Sequence, residues 1–393
     1  MPKAANRGRQ VSVVFETRMS ALTSLKAAAH SPHRARRLPL APAGIACRLL
    51  LAAAFCFLTF PRLALAGDIN GAWQRQPTGT LAWLRAVHFV DRDRGWAVGG
   101  SGALLSTIDG GKRWTIARRP TEDTLHDVYF TDAAIGWLVC ERSIYALKTD
   151  DEPRSYLLKT VNGGVTWTRV EATKGEVEAV LVRLAFAPGG VRGWAFGEAG
   201  ALFATEDGGA RWTRQRLPTK HLLLGGALFD EQQGWLVGAG LTALRTVDGG
   251  LTWREGGVTP ETIGMVAPRT RLRAVSFIDE RRGWAVGTGG VVLTTSDGGR
   301  TWRATPTPTD AELFDVKFFD ASEGWAVGEG GTVIHTTDGG STWRVEPSVT
   351  THTLESLCFT DRAHGWAVGF GGTIIAYGPA APTNPARPSL RNV

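Results

Sequence analysis

Two short markers alternate along most of the chain, and their spacing constrains the fold before any single residue does. The first is a Gly-Trp pair followed by small or aliphatic residues, and it recurs at Trp96, Trp137, Trp194, Trp235, Trp284, Trp325 and Trp366. Successive tryptophans lie 41, 57, 41, 49, 41 and 41 residues apart. The second joins a Thr, an Asp two residues on, two glycines and a Trp, as in TTDGGSTW ending at Trp343. A fixed period of this length marks one supersecondary unit repeated as a blade or a solenoid turn. Within the first unit, residues 84–90, 95–99, 103–107 and 113–118 are aliphatic and aromatic runs bounded by Asp and Gly clusters, as strands are. No segment of the repeat region sustains a helical period long enough to compete. Four strands per unit and seven units predict an all-β, seven-bladed propeller of four-stranded blades. An open solenoid would need capping units at its ends, and none is visible.

The second marker occurs six times against seven for the first, and the last unit ends in GTIIAYGPA without it. The missing piece lies at the other end of the chain. Asn70, Gly71 and Trp73 echo the end of the motif, and Trp73 precedes Trp114 by 41 residues. The N-terminal strand is therefore expected to complete the last blade and close the ring. The motif itself suits a hairpin turn: the carboxylate accepts turn N–H groups, glycine takes positive φ, and the Trp packs beneath. Asp109, Asn162, Asp207, Asp248, Asp297 and Asp338 hold the acidic position. They read as structural, because equivalent turns of different blades are spread around a rim, and Asn162 could not replace a catalytic acid.

The repeated Thr-x-Asp-Gly-Gly-x-Thr-Trp unit resembles the Asp-box, or bacterial neuraminidase repeat. Its alternation with Gly-Trp-Ala-Val-Gly over residues 69–378 resembles the photosystem II stability and assembly factor family of seven-bladed propellers. The resemblance implies a non-catalytic scaffold of the thylakoid lumen or periplasm, which binds a membrane-protein client or its assembly intermediate and uses no cofactor. A monomer is expected.

Composition has to be divided before it is read. The chain holds 44 Lys and Arg against 37 Asp and Glu, but residues 1–66 carry ten of the bases and one of the acids. The remainder has 34 bases and 36 acids, a net charge of −2. The basic character thus belongs to the leader, and nucleic acid is not an expected partner. Basic residues through Arg48, the apolar run 49–60 and Ala64-Leu65-Ala66 before Gly67 match an export signal. Residues 1–66 are thus expected to be a leader, 67–378 the propeller and 379–393 a Pro-rich disordered tail. Translation starting at Met19, ordinary secretion or the twin-arginine route through Arg36 and Arg37, and an uncleaved anchor all remain open. Cys47 and Cys56 lie in the leader; Cys140 and Cys358 read as buried small hydrophobes without a disulfide.

In such a propeller the Asp-box turns share one face, and the starts of the inner strands share the other with the links between blades. Counting ten residues back from each Gly-Trp glycine gives Arg85, His126, Arg183, Leu224, Arg273, Phe314 and Glu355, with Arg183 one residue out of register. These should ring the channel mouth. Arg85, His126, Arg183, Arg273, Phe314 and Glu355 form the candidate client-binding set, since Arg and aromatic side chains dominate protein recognition. Two long segments, 141–156 and 256–270, are expected as loops on that face.

The rival class is a glycan-binding protein or a sialidase-like glycoside hydrolase. Its chemistry would need an arginine triad, which Arg85, Arg183 and Arg273 could imitate, together with a tyrosine nucleophile and a paired acid. Tyr129, Tyr145, Tyr156 and Tyr377 occupy no obvious channel-facing position in the sequence pattern. His88, His126, His221, His335, His352 and His364 scatter singly, without metal-ligand spacing. Adjacent Asp150, Asp151 and Glu152 lack the further oxygen ligands that calcium needs. No metal and no phosphate loop is expected.

Overall fold

The computed structural model describes residues 71–379 apart from 148, 150–151, 171 and 174–178. The leader, Asn70, the tail from residue 380 and the acidic pair Asp150 and Asp151 lie outside the described residues.

Seven sheets form the structure, each built as an antiparallel meander whose innermost strand begins a repeat. Blade one runs through Leu84–Phe89, Gly95–Gly99, Leu104–Thr107 and Thr115–Ile116, and the other blades repeat this order. In every blade the Gly-Trp marker lies at the start of the second strand, and its five residues are all buried. Those strands read as continuous apolar runs because each is covered on both sides by neighbouring blades. Among the described residues no helix is long and apolar enough to cross a membrane.

The ring closes as the sequence predicts. Gly71–Gln76 pairs antiparallel with Thr373–Pro379, setting Trp73 opposite Tyr377. The closing strand thereby becomes the outer strand of blade seven, and Pro379, expected in the tail, belongs to its partner.

Blades are joined by the Gly-Trp tryptophans. Trp96, Trp235, Trp284 and Trp366 stack on Phe130, Phe277, Phe318 and Phe89 of the following blade at centroid separations of 3.5 to 3.6 Å. Each also donates its indole N–H to an Asp-box glycine carbonyl of that blade, at 2.8 to 3.1 Å. The exceptions have identifiable causes. Lys159 takes the carbonyl of Gly208 at 2.8 Å and Arg192 that of Gly249 at 2.7 Å, leaving the Trp137 and Trp194 nitrogens unpaired. Trp325 faces blade seven, which has no Asp-box, and its nitrogen is also unpaired.

The turn between second and third strands seats on the link to the next blade. A Cβ at Gly102 would lie 1.8 Å from the Thr121 carbonyl oxygen, and its φ is +68°. Glycine is required there on both counts. Blade four instead places Leu241 at φ 59°, where the longer link to blade five passes.

That link departs from expectation. Residues 256–270 are not an open recognition loop: Gly257–Val258 adds a fifth, parallel strand beside Thr301–Thr305, and the short helix Pro260–Ile263 follows. Thr262 is fully buried and its hydroxyl accepts the Ala304 N–H at 2.8 Å. The insertion covers the outer edge of blade five, an unpaired edge being a liability.

Candidate functional site

Each inner strand carries a bulge one residue past its start, seen as a register shift such as that between Leu125 and Asp127. A bulge puts two residues opposite one and breaks strict alternation. Two consecutive side chains per blade, such as His126 and Asp127, can therefore face the channel.

The outer of these two layers is the predicted ring. Arg85, His126, Leu224, Arg273, Phe314 and Glu355 line one cavity of about 80 Å³ together with Val182 and Arg183. Val182 takes the position that register assigns to blade three. Arg183 pairs with Phe196, as Asp127 pairs with Val139, and so sits one layer deeper.

Most of the ring's charges are already matched. Arg273 donates to Glu312 at 2.6 Å and lies over the Phe314 ring at 5.0 Å. His126 Nε2 lies 2.5 Å from Glu141, which also receives Arg154 at 2.9 Å. The His126 hydrogen bond is the main cause holding the Glu141 carboxyl below the usual range. Arg85 differs. It lies over the exposed Trp83 at 5.0 Å, and its Nε has no partner. Trp83 in turn donates to Glu355 at 3.1 Å and meets the half-exposed Phe370 edge-on at 5.5 Å. Sequence reasoning missed Trp83 and Phe370, although Leu81 and Trp83 stand in a link where nothing calls for apolar side chains. Within the expected loop 141–156, the described residues Ile144–Ala146 form a single 3-10 turn that exposes Ile144 and Tyr145.

Below the mouth, the channel is lined by Asp127, Arg183, Asp315, His88, Tyr129 and Cys358. Asp127 accepts the Leu184 N–H of the next blade at 2.8 Å, and Asp315 the Leu357 N–H of its next blade at 2.8 Å. Ser276 and Ser356 do the same for Phe318 and Val87, at 3.1 and 3.5 Å. These side chains satisfy backbone groups that the innermost strands would otherwise leave unpaired. Burial pushes the carboxyls of Asp127 and Asp315 up, against the pull of Arg183, which lies 3.6 Å from Asp127.

Two sequence expectations are corrected here. Tyr129 does face the channel, because the bulge shifts the alternation of its strand; its ring packs on His88 at 4.7 Å and on Phe186 at 4.9 Å. Burial raises its phenol pKa, the opposite of an activated nucleophile. Cys358 is only partly buried and opens on the channel, its Sγ accepting the Phe89 N–H at 3.4 Å, while burial lifts its thiol to about 11. Cys140 is buried, and both cysteines are free.

The Asp-box positions lie at the opposite face and do backbone work. Asp338 Oδ1 accepts the Thr336 hydroxyl and the Thr342 N–H at 2.9 and 2.8 Å. Asn162 reproduces both bonds at 2.9 Å and uses its amide N–H for the Thr166 hydroxyl. Asp109 and Asp207 are held below the usual carboxylate range chiefly by the backbone N–H groups of Arg113 and Arg211. Among the described residues no cluster of His, Cys, Asp and Glu is arranged to hold a metal.

The family described as photosynthesis system II assembly factor YCF48 matches residues 112–226, 212–307 and 263–350. Among solved structures, YCF48 from Cyanidioschyzon merolae superposes with a TM-score of 0.62 at 21% identity, covering 78% of this chain and 99% of that one. A structure of YCF48 bound to D1 peptide gives 0.61 at 22% identity, with coverages of 78% and 96%. Virginiamycin B lyase from Staphylococcus aureus gives 0.62 at 13% identity, with 78% and 99%. Likeness at these identities carries the fold alone. Comparison with curated proteins finds no match.

Proposed function

The chain belongs to the YCF48 family of photosystem II assembly factors, and from that membership we propose that it is a non-catalytic, exported scaffold whose channel-mouth face binds a segment of a membrane-protein client. The observation that carries this reading is the mouth itself. Arg85, with an unpaired Nε, lies over exposed Trp83, which meets Phe370, and lines the same cavity as Phe314, so the mouth offers a cation together with aromatic anchors. The D1 peptide bound by a structural neighbour supports a protein client. The basic and apolar pattern of residues 1–66 supports export to a periplasm or thylakoid lumen. Against glycoside hydrolysis stand the arginines' commitments: Arg183 is held by Asp127 and Arg273 by Glu312, so Arg85, Arg183 and Arg273 do not act as one triad.

The test is a fluorescence-anisotropy titration of a labelled D1 peptide with the full chain. Arg85→Ala and Phe314→Ala should each weaken binding roughly tenfold or more, as truncation of interface anchors does. Arg183 is unsuitable as a probe, because its loss would strand the buried Asp127. Failure of the unaltered chain to bind, or binding by both variants at full strength, overturns the assignment. N-terminal sequencing of protein recovered from the producing cells tests cleavage after Ala66.

A further inference from the structure

On the Asp-box face, at the junction of blades four and five, lies a groove of about 390 Å³ lined by Arg245, Arg281 and Arg300, with the side chains of Gln232 and Gln233 beside them. Arg245 stands on the third strand of blade four, in register with Arg254 on the outer strand. Its position matches that of Lys159 in blade two, which spends its ammonium on the next blade's Gly208 carbonyl. In blade four the equivalent carbonyl, that of Gly298, is occupied by the Trp235 indole N–H at 2.9 Å. Arg245 is thus denied the partner its position would offer, and among the described residues no carboxylate pairs with it.

Partial burial together with Arg300 and Arg254 disfavours the charged form of this guanidinium, and Asp297 across the groove opposes them. Two acids also line the groove, and they are not equivalent. Asp297 is spent within its turn, accepting from the Thr295 hydroxyl, the Arg300 and Thr301 N–H groups and the Thr301 hydroxyl at 2.7 to 3.0 Å. Glu280 is exposed and makes no ion pair among the described residues. Arg300 spends one guanidinium N–H on the Asp297 carbonyl at 2.8 Å, and the remaining N–H groups of Arg245, Arg281 and Arg300 still leave the concavity richer in planar donors than in acceptors. An oxyanion fits that deficit, since guanidinium forks match phosphate geometry.

We propose that this groove is a binding site for a phosphate oxyanion, carried either by a soluble phosphate or by an anionic lipid headgroup, with Arg245 as its central ligand and Arg281 and Arg300 beside it. It is independent of the client-binding reading, because it lies on the opposite face and is probed without a client.

The test uses the full chain at constant ionic strength. Inorganic phosphate is titrated calorimetrically, and cosedimentation with phosphatidylglycerol–phosphatidylcholine vesicles is compared with pure phosphatidylcholine. Phosphate should bind saturably, Arg245→Gln should weaken it roughly tenfold or more, and Glu280→Gln should strengthen it. Because the basic leader contributes equally to every variant, the vesicle arm is read as the difference between the native chain and Arg245→Gln. A difference there assigns the headgroup as a source; none, with phosphate binding retained, assigns a soluble phosphate. Thermal unfolding without phosphate should show Arg245→Gln folded and no less stable than the native chain. Absence of saturable phosphate binding, or equal affinity in Arg245→Gln, overturns the proposal.

Discussion

His88 offers the sharpest quantitative check on the channel, through the substitution His88→Gln. The imidazole sits on the inner strand of blade one, packed on Tyr129, with Nε2 bonded to the Phe130 carbonyl at 2.9 Å. Its neutral form donates that bond. Burial is the main reason its pKa falls from 6.5 to about 4, the bond to Phe130 opposing the fall and Lys317 adding to it. Above the unfolded value the ring is neutral in both states and the fold loses nothing. As pH falls from 6.5 towards about 4, the unfolded chain takes up a proton that the fold refuses. By about pH 5 that imbalance withdraws about 2 kcal/mol relative to neutral pH. Asp127 and Asp315, whose raised values act in the opposite direction, and Lys317 are common to both proteins and cancel in the comparison. The glutamine amide of the variant keeps a donor for the Phe130 carbonyl and does not titrate. Urea unfolding followed by circular dichroism at about pH 7.5 and about pH 5 should show the native chain losing about 2 kcal/mol more than His88→Gln. Equal losses would mean that the channel hydrates this ring like a surface histidine, and the desolvation argument would fail.

Two further outcomes follow from packing. Trp73→Ala removes a buried indole that meets Trp325, Phe359 and Tyr377 at 5.8, 5.9 and 5.4 Å; it should lower stability by roughly 3–5 kcal/mol. Hydrogen exchange should show lost protection in both Gly71–Gln76 and Thr373–Pro379, and protection lost in the first strand alone would contradict the pairing. Asp338→Asn should stay within about 0.5 kcal/mol, because Asn162 already makes the same turn bonds, whereas Asp338→Ala should lose about 1–3 kcal/mol in denaturant titration.

The architecture was legible because it is written many times. One Gly-Trp pair says little, but seven at a near-constant spacing fix the blade count, and the echo at Trp73 fixes the closure. The mouth ring was legible for the same reason, since a constant offset from each Gly-Trp marker samples one layer of the channel. What escaped was anything that a bulge or an edge decides. Tyr129 and Cys358 were misplaced because one extra residue per inner strand resets the alternation of everything after it. Asp127 and Asp315 share an offset one residue beyond the ring, and only the bulge explains why that second layer also points inward. The link 256–270 carried turn residues and looked like a loop; that two of its residues would pair with Thr301 and Trp302 depends on the neighbouring outer edge being unpaired, which no local pattern records. Trp83 and Phe370 come from different ends of the sequence and make one patch only once the ring has closed.

Closure by Gly71–Gln76 also orders events in time. The first strand of the propeller to be synthesised is the last to find its partner, since Thr373–Pro379 follows every other strand of the seven blades. Until then six blades can stack while each end of the growing arc keeps an uncovered apolar sheet face, and the junction that covers them, where Trp366 stacks on Phe89, spans almost the full length of the domain. Joining ends so distant in sequence is entropically slow. The geometry that buries every blade face in the finished ring therefore gives the nascent chain a prolonged interval in which two such faces are open to other chains.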